Sequence, residues 1–508
     1  MYETDTAEDI AHEIALIVLK SDKNISVETI QEWVEDYLMR SERRDVARAY
    51  IRYRYKQEVA RSYSNDFMNA IAEKLNATNV QNQNANVDEA SFGGRIGEAS
   101  SVMTKRYALD FLVSKKARRN HENNEIYIHD LDAYAVGSHN CLSIPFDELL
   151  AKGFNTRQAD IRPANSINTA FQLVAVIFQL QSLQQFGGVS ATHIDWTMVP
   201  YVRKSFTKHM KDGLRYCEGK SDYKIERFAK WLKHESNDGV LHFDNEEFQK
   251  LHPEAWEYAM EMTEKETMQA VEAMYHNLNT LQSRSGNQLP FTSINYGTCT
   301  LPEGRMVTRC LLEGSIKGIG ALHKTSIFPC GIFQVMKGVN KEPGTPNYDL
   351  YHMALESTAK RLYPNYANVD WSGNAGYDIN DPRTYFSTIG CRTANGWDVN
   401  GLGQLKDGRG NICPVTIILP TLAMESIDDM IWIHENGEPT LEEVIELFLT
   451  RLDMKIHEAK DMLIERFEWI CSQSPASARF MYENGLMAGY VPEEGIRSAL
   501  KHGTLALG

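Results

Sequence analysis

Two short stretches decide the interpretation of this chain: Gly390-Cys391-Arg392-Thr393 and, a little downstream, Asp407-Gly408-Arg409-Gly410-Asn411, which runs into the apolar residues 415–419. A cysteine between glycine and arginine, followed by a glycine-rich turn and an apolar run, is typical of a loop that carries a thiol into a cavity, with a strand behind it. Glycine lets the backbone approach a ligand closely, and arginine can bind an anion or a carboxylate. A lone cysteine is more often a small buried apolar residue, so this pattern needs support elsewhere in the chain.

A second group of chemically active residues lies far upstream. It consists of Ile128-His129-Asp130-Leu131-Asp132, followed by His139-Asn140-Cys141. It contributes a second cysteine, an amide and two carboxylates, which the fold could bring to the first two stretches.

Together these segments resemble the anaerobic (class III) ribonucleoside-triphosphate reductases, which are glycyl radical enzymes. The matches follow one order over most of the chain: residues 125–132, 140–141, 153–188, 286–291, 318–328, 344–348, 360–364, 390–393 and 407–420. The function that the resemblance implies is anaerobic reduction of ribonucleoside triphosphates to 2′-deoxyribonucleoside triphosphates for DNA precursor synthesis.

The resemblance also implies roles for three catalytic residues. Cys391 matches the cysteine that becomes a thiyl radical and abstracts the 3′-hydrogen of the ribose. Cys141 matches the second cysteine, on the side of the departing 2′-hydroxyl. Asn411 matches the amide that binds the ribose hydroxyls, and its neutrality suits a formate anion in the same pocket, because a carboxylate there would repel it.

Two further residues are candidates for substrate binding. Thr393 and His129 match positions that could contact the ribose or the phosphates. His129 could equally be a structural histidine held by Asp130 or Asp132.

The resemblance implies cofactors and partners as well. The cofactors are a glycyl radical, formate as reductant, and zinc in a C-terminal segment; thioredoxin-like reductants serve some relatives. The partners are ribonucleoside triphosphates, ATP and dNTP effectors, and a radical-SAM activating protein with a 4Fe-4S cluster. A homodimer is expected.

The chain departs from the family at both ends. The family's four-cysteine zinc site and its glycyl-radical loop do not appear in these residues, so we expect a truncated chain that is inactive by itself. Residues 1–60 resemble the C-terminal, helical part of an ATP-cone without its basic opening hairpin, with Ser26 as a helix N-cap. They could equally be a helical cap. Residues 61–508 are the expected reductase domain. An Asn- and Gln-rich loop at 76–86 lies near its start, before its main part.

The pattern beyond residue 285 predicts the fold class. Short apolar runs at 290–295, 324–333 and 413–419 alternate with helical patterns at 349–362 and 441–467. This alternation predicts an α/β architecture with largely parallel strands. The resemblance implies in addition a ten-stranded α/β barrel with the radical loops threaded into its centre.

Residues 167–186 combine apolar residues at helical spacing with a stripe of five glutamines. Two interpretations of the stripe stay open. It could be an ordinary solvated face, or a dimer interface near an effector-nucleotide site, where a two-fold axis would repeat every contact.

Composition bounds the remaining possibilities. With 53 Lys and Arg against 68 Asp and Glu, the net charge of −15 argues against general nucleic-acid binding. The longest apolar runs, 14–19 and 173–178, are too short to cross a membrane, and no signal peptide is visible; we therefore expect a cytoplasmic protein. The eight cysteines include no Cys-x-x-Cys pair, so we assign no metal ligand.

Two other functions are alternatives to ribonucleotide reduction. An acyltransferase of the pyruvate formate-lyase type uses adjacent cysteines, and no Cys-Cys pair exists here. A catalytically incomplete nucleotide-binding regulator or remnant of such a reductase stays open, although Cys391, Cys141 and Asn411 argue against it.

Overall fold

The computed structural model describes residues 5–20, 25, 27–40, 44–76, 91–236, 238–284, 287–390, 393–434 and 439–508. The chain divides into two compact units, Met1–Asn79 and Val80–Gly508. Ser26, residues 77–86 of the loop predicted at 76–86, and the thiol loop residues Cys391 and Arg392 lie outside the described residues.

The first unit consists of three helices: α1 (Asp5–Leu19), α2 (Val27–Arg40) and α3 (Arg44–Asn76). Its small core is built from one face of each helix, with Ile10 and Ile14, Leu38, and Ala47 buried. Each helix thus turns an apolar side to this core, as amphipathic helices do, and the segment is helical as expected. Helix α3 continues well past residue 60, where the N-terminal segment was expected to end.

The helices of the second unit are α4 (Phe92–Tyr107), α5 (Lys115–Glu122), α6 (Leu131–Tyr134), α7 (Phe146–Lys152), α8 (Ile167–Ser182), α9 (Ile194–Tyr216), α10 (Asp222–Glu235), α11 (Glu246–Leu251), α12 (Pro253–Leu278), α13 (Pro302–Lys317), α14 (Tyr348–Arg361), α15 (Leu419–Ile433), α16 (Leu441–Cys471), α17 (Arg479–Glu483) and α18 (Arg497–Leu500). Its strands are β1 (Ile126–Ile128), β2 (Leu142–Ser143), β3 (Phe154–Asn155), β4 (Asp160–Ile161), β5 (Val189–Ala191), β6 (Thr292–Tyr296), β7 (Cys330–Val335), β8 (Asn365–Asn368), β9 (Thr388–Ile389), β10 (Thr393–Ala394), β11 (Asn411–Ile417) and β12 (Thr504–Leu507).

A five-stranded parallel sheet, in the order β2-β5-β6-β7-β8, forms the centre of this unit. Helices connect successive strands, for example α13 between β6 and β7 and α14 between β7 and β8. Parallel strands require such crossovers. Ten of the sixteen residues of helix α8 are buried, and Ile167, Phe171 and Phe178 are inaccessible to solvent.

A three-stranded sheet lies beside the first. Strand β11 pairs antiparallel with β1 and parallel with β12. Backbone hydrogen bonds join this sheet and the turn before it to the chain around β2. Asn140 N donates to Ile412 O and Cys141 N to Asn411 O, while Ser143 N donates to Arg409 O and Gly408 N to Ser143 O. The glycine-rich turn and the upstream cysteine segment therefore meet where the two sheets join.

The predicted α/β class is confirmed. The finer expectation of one closed ten-stranded barrel is not shown, because the strands of the described residues form separate sheets of five, three, two and two strands. The two larger sheets are joined by the backbone bonds around Gly408 and Cys141 and not by a strand ladder, and the pairing of β11 with β12 has its own irregularity between Asn411 and Cys413. Within the described residues, no helix combines the length and the apolar character needed to cross a membrane.

Candidate active site

Cys141 lies in a closely packed crossing of backbone loops. Its amide N–H donates to Asn411 O at 2.9 Å, and Gly187 N donates to Asn140 O at 2.6 Å. A side-chain carbon at Gly187 would stand 2.6 Å from the Cys141 sulfur, and one at Gly410 would stand 1.9 Å from the Cys141 carbonyl oxygen. Only glycine fits at these two positions, so the chain reaches the sulfur with backbone alone.

The Cys141 thiol is buried, with 8% of the residue exposed. It donates to Asn140 Oδ1 at 2.7 Å and accepts from Gly188 N at 3.2 Å. A sulfur that both donates and accepts is a neutral thiol. Asn140 is oriented in turn because its amide nitrogen donates to Asp130 Oδ2. The site therefore presents an S–H group whose hydrogen can be given up.

Asn411 begins β11 and is 3% exposed. Its Nδ2 donates to Asn140 Oδ1 at 3.4 Å, whereas its Oδ1 has no hydrogen-bond partner among the described residues. A buried polar atom without a partner costs about 1–3 kcal/mol. A ligand hydroxyl would remove that cost by donating to this oxygen.

The segment on either side of the predicted thiol loop is a pair of antiparallel strands, the β9–β10 hairpin. Thr393 lies opposite Ile389, and Gly390 follows β9 in sequence. Gly390 has φ +60°, and a side-chain carbon built on it would lie 3.4 Å from the Cys141 sulfur. The residue that precedes Cys391 is thus in contact range of the second cysteine, although Cys391 itself lies outside the described residues.

The structure places the two predicted substrate contacts differently. Thr393 is half-buried at the base of the hairpin turn. His129 follows β1, and its Nε2 shares a hydrogen bond of 2.8 Å with Thr416 Oγ1 while its ring packs edge-on against Tyr127. Thr416 lies on β11, five residues from Asn411, and Tyr127 lies on the neighbouring strand β1.

The glutamine stripe has a role that the sequence did not suggest. Gln185 is 3% exposed, and its Nε2 donates to Gly188 O at 2.8 Å and to Asn140 O at 3.2 Å, while Gln181 Nε2 donates to its Oε1 at 2.7 Å. These two glutamines therefore hold the loops around Cys141 within one chain. Burial also lowers the pKa of neighbouring His139 to about 4, which keeps that ring neutral.

A second polar cluster, also missed, lies at the carboxyl end of the parallel sheet. His193 Nε2 shares a 3.0 Å hydrogen bond with Asp147, and Thr192 Oγ1 donates to Asp407. Burial opposes protonation of His193, but the carboxylates of Asp147 and Asp407 outweigh it and raise its pKa to about 9. Burial raises the pKa of Asp407 to about 6. The cluster fixes the start of the turn that leads to Asn411.

Among the residues that the structure describes, no three His, Cys, Asp or Glu side chains are grouped as the ligands of a metal ion would be. The side chains around Cys141 are instead neutral hydrogen-bonding groups, which suit a polar organic ligand.

Comparison with known proteins assigns the chain to a family. Residues 83–508 match the family described as anaerobic ribonucleoside-triphosphate reductase, and residues 2–59 match the ATP cone domain. The chain belongs to the anaerobic ribonucleoside-triphosphate reductase family. The resemblance drawn from the sequence is thereby confirmed.

Curated reductases of this family share moderate identity with the chain. The anaerobic ribonucleoside-triphosphate reductase of Haemophilus influenzae is 29% identical over 464 residues, which cover 91% of this chain and 58% of that protein. That of Escherichia coli is 29% identical over 434 residues, which cover 84% and 55%. The chain thus spans a little over half the length of these reductases.

Solved structures of the family have a similar fold. The anaerobic ribonucleotide reductase of Thermotoga maritima with citrate in the active site gives a TM-score of 0.52 at 15% identity, covering 89% of this chain and 71% of that one. The same enzyme in complex with dATP and CTP gives 0.50 at 16% identity, covering 82% and 60%. At this identity the similarity supports the reductase fold alone.

Proposed function

We propose that this chain carries the active site of an anaerobic ribonucleoside-triphosphate reductase, which converts ribonucleoside triphosphates to 2′-deoxyribonucleoside triphosphates by thiyl radical chemistry. One observation carries the proposal. A side-chain carbon on Gly390, the residue before Cys391, would lie 3.4 Å from the buried Cys141 sulfur, and the buried Asn411 Oδ1, which is bonded to the same loops, has no partner among the described residues.

Each residue then has a role suited to its surroundings. A thiyl radical at Cys391 abstracts the 3′-hydrogen of the ribose. Cys141, whose thiol carries a hydrogen, donates a proton to the 2′-hydroxyl, which leaves as water. Asn411 Oδ1 accepts from a ribose hydroxyl. Thr393 and His129 remain proposed contacts of the ribose or the phosphates.

The proposed reaction balances with formate as the reductant. The ribonucleotide loses its 2′-hydroxyl as water, and formate supplies two electrons and a hydrogen and leaves as carbon dioxide. One further proton is consumed, and the 3′-hydrogen returns from the Cys391 thiol, which regenerates the thiyl radical. The neutral side chains at Cys141 and Asn411 leave room for the formate charge without repulsion.

The group that starts this chemistry is a glycyl radical, which supplies the unpaired electron for the Cys391 thiol. We propose that a radical-SAM protein with a 4Fe-4S cluster generates it. The surroundings of Cys141 fit such chemistry, because Gly187 and Gly390 approach its sulfur closely and only 8% of the residue is exposed to solvent. A zinc site is proposed only outside the described residues.

The same proposal extends to regulation and assembly. ATP and dNTP effectors are supported by the ATP cone match at residues 2–59 and by the Thermotoga maritima complex with dATP and CTP. We propose further that residues 1–60 act as the ATP-cone part and 61–508 as the reductase domain. We also propose that the reductase domain belongs to a ten-stranded barrel and that the protein works as a homodimer.

Anaerobic turnover tests the proposal. The complete protein is activated with a radical-SAM activating enzyme and S-adenosylmethionine, then given CTP and ¹³C-formate. The expected products are dCTP and labelled carbon dioxide in equal amounts. Binding of CTP without any dCTP, in protein that carries the glycyl radical signal, would contradict the proposal and favour a nucleotide-binding regulator.

A further inference from the structure

Three neighbouring strands of the parallel sheet present polar side chains to one segment of backbone. Ser190 on β5, Asn295 on β6 and Gln334 on β7 are all inaccessible to solvent. The register places Ser190 beside Ser293 and Asn295 beside Ile332, so the three side chains share one face of the sheet. The interior of a parallel sheet is ordinarily apolar, so this polar row calls for an explanation.

The polar side chains of this row hold the backbone at residues 386–388, which leads to Cys391 along the sequence. Asn295 Oδ1 accepts from Thr388 N at 3.1 Å, and its Nδ2 donates to Thr388 O at 3.1 Å. Ser190 Oγ donates to the same Thr388 oxygen at 3.0 Å, and Gln334 Nε2 donates to Phe386 O at 2.9 Å. Both backbone polar groups of Thr388 are therefore held, two residues before Gly390.

Asn295 is itself held rigidly. Its Nδ2 also approaches Ala191 O at 2.9 Å and Ser190 Oγ at 3.2 Å. The side-chain amide of Asn295 on β6 thus connects β5 and β6 to β9. Because a planar amide that accepts from and donates to the same residue fixes that residue's orientation, Asn295 fixes the orientation of Thr388 in β9, the strand that precedes Cys391 in sequence.

We propose that Asn295, supported by Ser190 and Gln334, is a positioning residue that holds β9, the strand that leads to Cys391, for the reaction. The role rests on the proposed reductase function. It is distinct from the roles of Cys391, Cys141 and Asn411, because Asn295 acts on the reacting sulfur only through the backbone of Thr388.

Asn295→Asp removes the donor while keeping the shape of the side chain. Asn340→Asp is the matched control. Asn340 is also inaccessible to solvent. It accepts from Met336 N at 2.9 Å and donates to Gly297 O and Gln334 O at 2.9 and 2.8 Å, and none of these bonds is made to residues 386–390. The same chemical change is thus made in two similar buried amides.

Two readouts are taken on the complete protein. In Asn295→Asp we expect kcat for dCTP formation to fall about 10²-fold, the effect of about 1 Å of misplacement, with little change in the KM for CTP and a normal glycyl radical signal. Amide hydrogen exchange should quicken in peptides covering residues 386–394. Asn340→Asp should show neither change at equal folded fraction.

A milder variant covers the case in which Asn295→Asp does not fold. Ser190→Ala removes one hydrogen bond to Thr388 O and should lower kcat about fivefold, with faster exchange in the same peptides. Wild-type kcat and unchanged hairpin exchange in the folded variants would overturn the positioning role alone. Absence of dCTP from the activated wild-type protein would overturn the proposed function and this role with it.

Discussion

Gly410→Ala tests the packing on which the proposed chemistry depends. A side-chain carbon at Gly410 would stand 1.9 Å from the Cys141 carbonyl oxygen, and real contacts of this kind are essentially never closer than 3.0 Å. The two backbones must therefore move apart by at least 1.1 Å, the difference between 3.0 and 1.9 Å. This motion would stretch the hydrogen bond from Cys141 N to Asn411 O, now 2.9 Å. Misplacement of about 1 Å at a reacting centre lowers the rate about 10²-fold.

The assay is dCTP formation by the complete, anaerobically activated protein, normalised to the folded fraction measured by urea unfolding. Gly396→Ala is the control, because an added carbon there meets nothing within 4 Å and the backbone is not in the left-handed region. We expect the control to keep its turnover. Turnover of Gly410→Ala equal to that of the control would refute the inference that the crossing of these loops positions the site.

Three further predictions concern single side chains. Asn411→Ala should lower kcat strongly and change CTP affinity less, because the amide acts on the reacting ribose. An unchanged kcat in steady-state kinetics would show that Asn411 has a structural role only. Because the pKa of His193 is raised to about 9 from 6.5, its contribution to stability is present below pH 6.5 and is lost as the pH rises toward 9. Urea unfolding should show this loss in the wild type and not in His193→Gln; an equal loss in both would exclude His193 as its source. Lys455→Met should reduce the unfolding free energy by about 1.5–3 kcal/mol, because it removes the buried cation that bonds the half-buried Glu125 and leaves Glu458 with Lys116 as its remaining cation. The same change at exposed Lys250, which pairs with Glu246, should do little, and equal effects at the two lysines would mean that burial of the cation does not matter.

The fold class could be predicted because its signals are local. Helices predicted at 349–362 and 441–467 correspond to α14 and α16, and the run at 413–419 corresponds to β11. The boundaries were less accurate. Strand β11 ends at Ile417 and helix α15 begins at Leu419, because Pro420 in the first helical turn favours a helix start.

The site could be predicted only where the family resemblance marked it. Cys141 and Asn411 lie together although 270 residues separate them in sequence, and no periodicity indicates that contact. The glutamine stripe illustrates the limit. Spacing identified a helix with a polar side, but both proposed explanations looked outward, whereas Gln181 and Gln185 are buried against the loops of their own chain. Likewise, nothing local signals that Asn295 binds Thr388.

The central claim is that Cys391 carries the radical that starts ribonucleotide reduction, and Cys391→Ser tests it most directly. In the complete, activated protein, we expect the glycyl radical signal in electron paramagnetic resonance and CTP binding to persist while dCTP formation disappears. The reason is that the serine O–H bond is too strong for a glycyl radical to break. Formation of dCTP within about tenfold of the wild-type rate, a difference of only about 1.4 kcal/mol in the barrier, would contradict the account.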